Sequence, residues 1–124
     1  MTDQPRAVLL CPDLLFGSKV EGFVRAADCE VEVVTTAQLA RTACAKGAAL
    51  LVVDLTDESY GGIELVTAMR AGSELRQTAT LGFYAHTEEQ TRQRAEAAGF
   101  DLIVPRSRMM REGSQLVSRL IAPS

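Results

Sequence analysis

Ala48-Ala49-Leu50-Leu51-Val52-Val53-Asp54 is the most apolar run in the chain, and it stops abruptly at a carboxylate. That is the profile of a central parallel strand, covered on both faces. Upstream of it, Thr36 is placed to cap a helix over Ala37–Lys46, and Gly47 supplies a left-handed stop. Further back, Glu30-Val31-Glu32-Val33-Val34 alternates with period two, as a half-covered or edge strand does. From Leu14 to Ala27 a helix is predicted, with Leu15, Val20, Phe23, Val24 and Ala27 at apolar spacing and Lys19, Glu21 and Arg25 on the wet side. Gly17 and Gly22 weaken that helix, each by about 1 kcal/mol relative to alanine. Ala7-Val8-Leu9-Leu10-Cys11, closed by Pro12-Asp13, reads as a first strand buried on both faces.

Downstream of Asp54 a polar loop leads to Gly62 and a third helix carrying Ile63, Leu65, Val66 and Met69, with Gly72 beyond its end. Ala79–Ala85 is a fourth strand. Thr87-Glu88-Glu89-Gln90 has the form of a capping box opening a fourth helix, which Gly99 ends. Leu102-Ile103-Val104 makes a short fifth strand, and a last amphipathic helix carries Met110, Leu116, Val117 and Leu120. Five strands alternating with five helices imply right-handed crossovers and an α/β fold with a doubly wound parallel sheet. Functional groups in such sheets gather beyond the carboxyl ends of the strands. The residues standing there are Asp13, Asp54 with Thr56, Tyr84 with Ala85, and Arg106.

At 124 residues the chain has the size of one domain, with a core expected over about residues 7–120. Hydrophobic residues at 47% and charged ones at 23% are the ordinary globular balance and exclude disorder. A formal charge of −3 argues against direct nucleic-acid binding or an anionic-membrane surface. No apolar run approaches the roughly 18–20 residues that span a bilayer, and the start, Met1-Thr2-Asp3-Gln4-Pro5-Arg6, lacks a signal-peptide core. Cys11, Cys29 and Cys44 are an odd, widely spaced set that fits neither a disulfide framework nor a zinc pattern, so reduced thiols in a cytoplasm are expected. Cys11 and Cys44 read as small buried hydrophobes, and Cys29 as a loop residue. His86 is the sole histidine and builds neither a metal site nor a triad alone. The first strand has no glycine-rich turn after it, which disfavours a nucleotide-binding enzyme.

Two carboxylates, Asp13 and Asp54, end the first and third strands. If those strands are neighbours, the like charges need a proton or cation between them. A hard ion such as Mg²⁺, held by Asp13, Asp54 and the Thr56 carbonyl, satisfies that need and suits phosphoryl transfer onto a carboxylate. The plain alternative is that Asp13 caps the first helix and Asp54 starts a turn.

The segment Asp54-Leu55-Thr56-Asp57-Glu58-Ser59-Tyr60-Gly61-Gly62-Ile63-Glu64-Leu65 resembles the phosphoacceptor segment of bacterial response-regulator receiver domains, the CheY-like family. Ala98-Gly99-Phe100-Asp101-Leu102-Ile103-Val104 is similar to that family's entry to its fifth strand. The resemblance implies strand order 2-1-3-4-5, with Asp54 as candidate phosphoacceptor. Several positions depart from the family pattern. Pro12 replaces the first of two acids, Tyr84 stands for a short hydroxyl residue, and Arg106 stands for a lysine. Ile103 replaces an aromatic, and Ser107 and Glu58 replace prolines. One acid fewer implies weak Mg²⁺ binding; Tyr84 is expected to roof the pocket, and Arg106 to clamp Asp54 through its planar fork. The implied function is a stand-alone, degenerate pseudo-receiver that is not an enzyme and signals by binding a protein partner (a kinase, a regulator or a second copy). The alternative is a working Mg²⁺-dependent phosphoacceptor, phosphorylated on Asp54 by a histidine kinase. The family's docking face implies Arg92, Arg94, Met109 and Met110 as contact candidates.

Overall fold

The computed structural model describes residues 4–85 and 89–122. Its strands are β1 (Arg6–Leu10), β2 (Glu30–Val34), β3 (Leu50–Asp54), β4 (Ala79–Tyr84) and β5 (Leu102–Pro105). Between and after them lie α1 (Leu14–Ala26), α2 (Ala37–Ala45), α3 (Gly62–Ala71), α4 (Glu89–Ala98) and α5 (Arg106–Ile121), with one 3₁₀ turn at Glu58–Tyr60. The strands form one parallel sheet in the order β2-β1-β3-β4-β5, the doubly wound arrangement expected from the alternation of elements. The expected capping box at Thr87, like His86, lies outside the described residues.

Period-two alternation sends the strand side chains into two apolar layers. Ala7, Leu9, Leu50, Val52, Leu81 and Phe83 pack against α1 and α5. Val8, Leu10, Leu51, Val53 and Tyr84 pack on the opposite face with residues of α2, α3 and α4. β3 is buried at all of its positions, including Asp54, while β2 at the edge exposes Glu30 and Val33.

Val20 and Val24 of α1 and Leu116 and Val117 of α5 are buried as expected, but the first turn of each helix buries the neighbour of the predicted residue. In α1 the buried residues are Phe16, Gly17, Val20 and Val24, whereas Leu15 is 82% exposed. Gly17 is what allows this: a Cβ there would lie 3.3 Å from the Cys11 sulfur, so α1 descends onto the end of β1 through a bare backbone. In α5, Met109 is fully buried and Met110 only partly so. Gly47 and Gly99 take the expected left-handed conformation after α2 and α4. After α3 that role falls to Ser73 rather than Gly72.

Long-range polar ties fix the ends of the sheet. Arg6 donates to the carbonyls of Ala43 and Gly47 at the close of α2, each at 2.8 Å, and pairs with Glu32. At the other edge, Asp101 accepts the Thr80 N–H at 2.8 Å and its hydroxyl at 3.1 Å, while the Asp101 N–H donates back to Thr80. Arg70 joins the same group through Asp101 and the Gly99 carbonyl.

Candidate functional site

β1 and β3 run in parallel with Leu10 opposite Val53, which brings Cys11, one residue beyond β1, level with Asp54. Asp54 in turn is the register partner of Phe83 in β4. Strand alternation puts Cys11, Asp54 and Phe83 on the α1/α5 face. The site is therefore framed by a thiol, a carboxylate and a phenyl ring at the carboxyl ends of three adjacent strands.

Asp54 is 1% exposed, and a buried charge needs donors. Thr56 supplies two to Oδ1, its N–H at 2.8 Å and its hydroxyl at 2.5 Å, in a tight turn leaving β3. Oδ2 faces the Cys11 thiol at 3.4 Å. Burial, then the neighbouring charge of Asp54, push the Cys11 thiol up to about 12, so it stays protonated at neutral pH and donates. Its single proton has a second acceptor in reach, the Asp13 carbonyl at 3.6 Å. The shorter contact, to a charged oxygen, is the stronger one.

The other strand-end residues divide between the pocket and its surroundings. Asp13 is exposed and caps α1, its Oδ1 accepting the Phe16 N–H at 3.0 Å. Arg106 does not clamp Asp54. Its guanidinium lies over the Phe16 ring, 3.9 Å from the centroid, and among the described residues it forms no ion pair. The reason is that α5 begins at Arg106 itself, directly after β5, which directs the side chain onto α1. Phe16 packs against Phe83 with 5.1 Å between centroids and the rings tilted by 53°, so Arg106, Phe16 and Phe83 form one chain of contacts ending at the register partner of Asp54. Tyr84 does not roof the pocket. Its position in β4 turns it to the opposite layer, beside residues of α4, where it is buried; Ala85 comes next, half-buried.

The phenol that feels the charge of the acids is Tyr60, in the 3₁₀ turn. Burial first, then the charges of Asp54, Asp57 and Asp13, raise it above the ordinary tyrosine value. Of the predicted contact residues, Met109 is core and offers no surface. Arg92 is paired with Glu89 and Glu96 along α4. Arg94 bridges to Glu58 and Glu64, tying α4 to the 3₁₀ turn and to α3.

The acids of the expected Mg²⁺ site are already hydrogen-bonded within the protein. Both Asp54 oxygens already accept protein donors, and one Asp13 oxygen is committed to a helix cap. Among the described residues no group of three His, Cys, Asp or Glu side chains converges on a metal position.

The same topology recurs among solved structures. The Vibrio cholerae chemotaxis protein CheY4 superimposes with a TM-score of 0.81 at 18% identity, covering 95% of this chain and 99% of its own. The fold is that of a response-regulator receiver domain. The Francisella response regulator 1452 receiver domain agrees at TM-score 0.78 and 14% identity, over 94% of this chain and 96% of its own. The DrrB receiver domain, solved in a BeF3-activated form, agrees at 0.81 and 14%, over 98% and 100%. No protein-family model and no curated protein matches the sequence. What this chain shares with these receivers is the backbone; its pocket has to be read from its own side chains.

Proposed function

We propose that this receiver-fold chain is a pseudo-receiver: a cytoplasmic signalling module that acts by binding a protein partner, with its phosphoacceptor pocket closed. The observation that carries this reading is the engagement of both Asp54 oxygens by neighbouring side chains. Thr56 takes one carboxylate oxygen and Cys11 faces the other, while Arg106, the cation expected beside it, is stacked on Phe16. Both oxygens of Asp54 are thus engaged, and among the described residues no arginine or lysine pairs with it to balance an added phosphoryl group. The net charge of −3 supports a protein partner over nucleic acid. So do Leu14 and Leu15, which are 81% and 82% exposed beside Asp13 at the mouth of the pocket. Among the described residues no helix is long and apolar enough to cross a membrane. The module turns over no substrate of its own in this reading, and its partner is a kinase, a regulator or a second copy.

The alternative, a phosphoacceptor at Asp54, is favoured by one feature: the carboxylate sits at the carboxyl end of the central strand. Intact-mass measurement after incubation with Mg²⁺ and acetyl phosphate separates the two. No mass gain is expected. A gain of one phosphoryl group that is abolished by Asp54→Asn overturns the closed-pocket reading.

A further inference from the structure

We infer that Cys11 is the positioning residue that keeps Asp54 closed, holding Oδ2 through its thiol so that this oxygen is withheld from an incoming phosphoryl group. The inference rests on the pseudo-receiver reading and assigns its cause to one side chain. Strand register places Cys11 level with Asp54, and the 3.4 Å contact joins the thiol to the one carboxylate oxygen that Thr56 leaves free. The sulfur is buried, and Gly17 of α1 passes close to it: a Cβ there would lie 3.3 Å from the sulfur. Asp13, the nearer acid in sequence, is held off by its capping bond to Phe16.

Hydrogen bonding to a carboxylate draws electron density from the lone pair that would attack phosphorus. With the thiol removed, Oδ2 attacks the phosphorus of acetyl phosphate, the phosphorus–oxygen bond to the acetyl group breaks, and acetate leaves with the bonding pair. Asp54 then carries an acyl phosphate. No proton is exchanged, and nothing is oxidised or reduced.

The test has two arms on the full chain. In the first, the Raman S–H stretch of Cys11 is isolated by subtracting the Cys11→Ser spectrum. It should lie at lower wavenumber than a free thiol and move up in Asp54→Asn; an unmoved band overturns the inference. In the second, wild type, Cys11→Ala and Cys11→Ser are incubated with Mg²⁺ and acetyl phosphate and monitored by intact mass. Cys11→Ala should accept a phosphoryl group at least about tenfold faster than wild type. Cys11→Ser, which keeps a donor in place, should behave as wild type. Equal rates in wild type and Cys11→Ala overturn the inference, whichever rate they share. Rapid acceptance by wild type overturns the pseudo-receiver reading instead, and that result is distinct. Spectra of folded amides in each variant confirm that a changed rate reports the site and not a collapsed core.

Discussion

Among the described residues Asp54 takes its donors from Thr56 and Cys11, so each donor should be measurable singly. Thr56→Val keeps the shape of the side chain and deletes the hydroxyl at 2.5 Å from Oδ1. It should lower the free energy of unfolding in urea by about 1.5–3 kcal/mol, the range for a hydrogen bond to a charged group. Buried thiols give a second prediction. Cys11 is pushed up to about 12 and Cys44 to about 11, both chiefly by burial, from an ordinary 9.0. Between the unfolded and folded values the native state binds the more protons, so stability is full below about pH 9 and falls as pH rises towards 11 and 12. Urea midpoints measured from pH 8 upward should show that decline, and Cys11→Ala should make it shallower. Asp54 is legible in the sequence because an apolar run ends on it. The role of Cys11 is not, because alternation tells which face a side chain takes but not which residue of the neighbouring strand stands beside it.

Elements here are joined by a few polar ties of very different worth. Asp101 closes the entry to β5 by accepting the N–H and hydroxyl of Thr80, which is fully buried. Asp101→Ala leaves that buried N–H without its partner and should cost about 2–3 kcal/mol in urea unfolding. Arg94, by contrast, joins α4 to Glu58 and Glu64 among exposed side chains. Arg94→Ala should cost under about 1 kcal/mol, and raised salt should erase the difference. The element types are readable from periodicity, yet in the first turn of α1 and of α5 the buried residue is the neighbour of the one periodicity picks. Leu15 and Phe16 are both apolar, as are Met109 and Met110, so the pattern alone leaves the stripe free to rotate. Gly17 decides α1, because only the face bearing it can approach Cys11. Arg106 departs from its expected place for a related reason. A strand leading into a loop would have pointed it back over the sheet, but β5 runs straight into α5.

At the level of the whole molecule, one sheet carries both apolar layers, with β3 contributing to each. Such a core has no seam along which half could unfold alone. Far-UV circular dichroism and tyrosine fluorescence should therefore report a single coincident urea transition; separated midpoints would contradict it. The topology is legible because it depends only on the order of elements, whereas the pocket depends on how neighbouring ends meet in space. Arg6 is a case of such a meeting. Its guanidinium holds the Ala43 carbonyl in the last turn of α2 and the Gly47 carbonyl just beyond it, 37 and 41 positions further on, so the opening strand doubles as the clasp of a distant helix. A protease that recognises arginine should find this peptide bond shielded while the molecule is folded. Trimming through it would fray α2 and loosen β2 at the rim, turning a seemingly dispensable leading segment into the point where the fold comes undone.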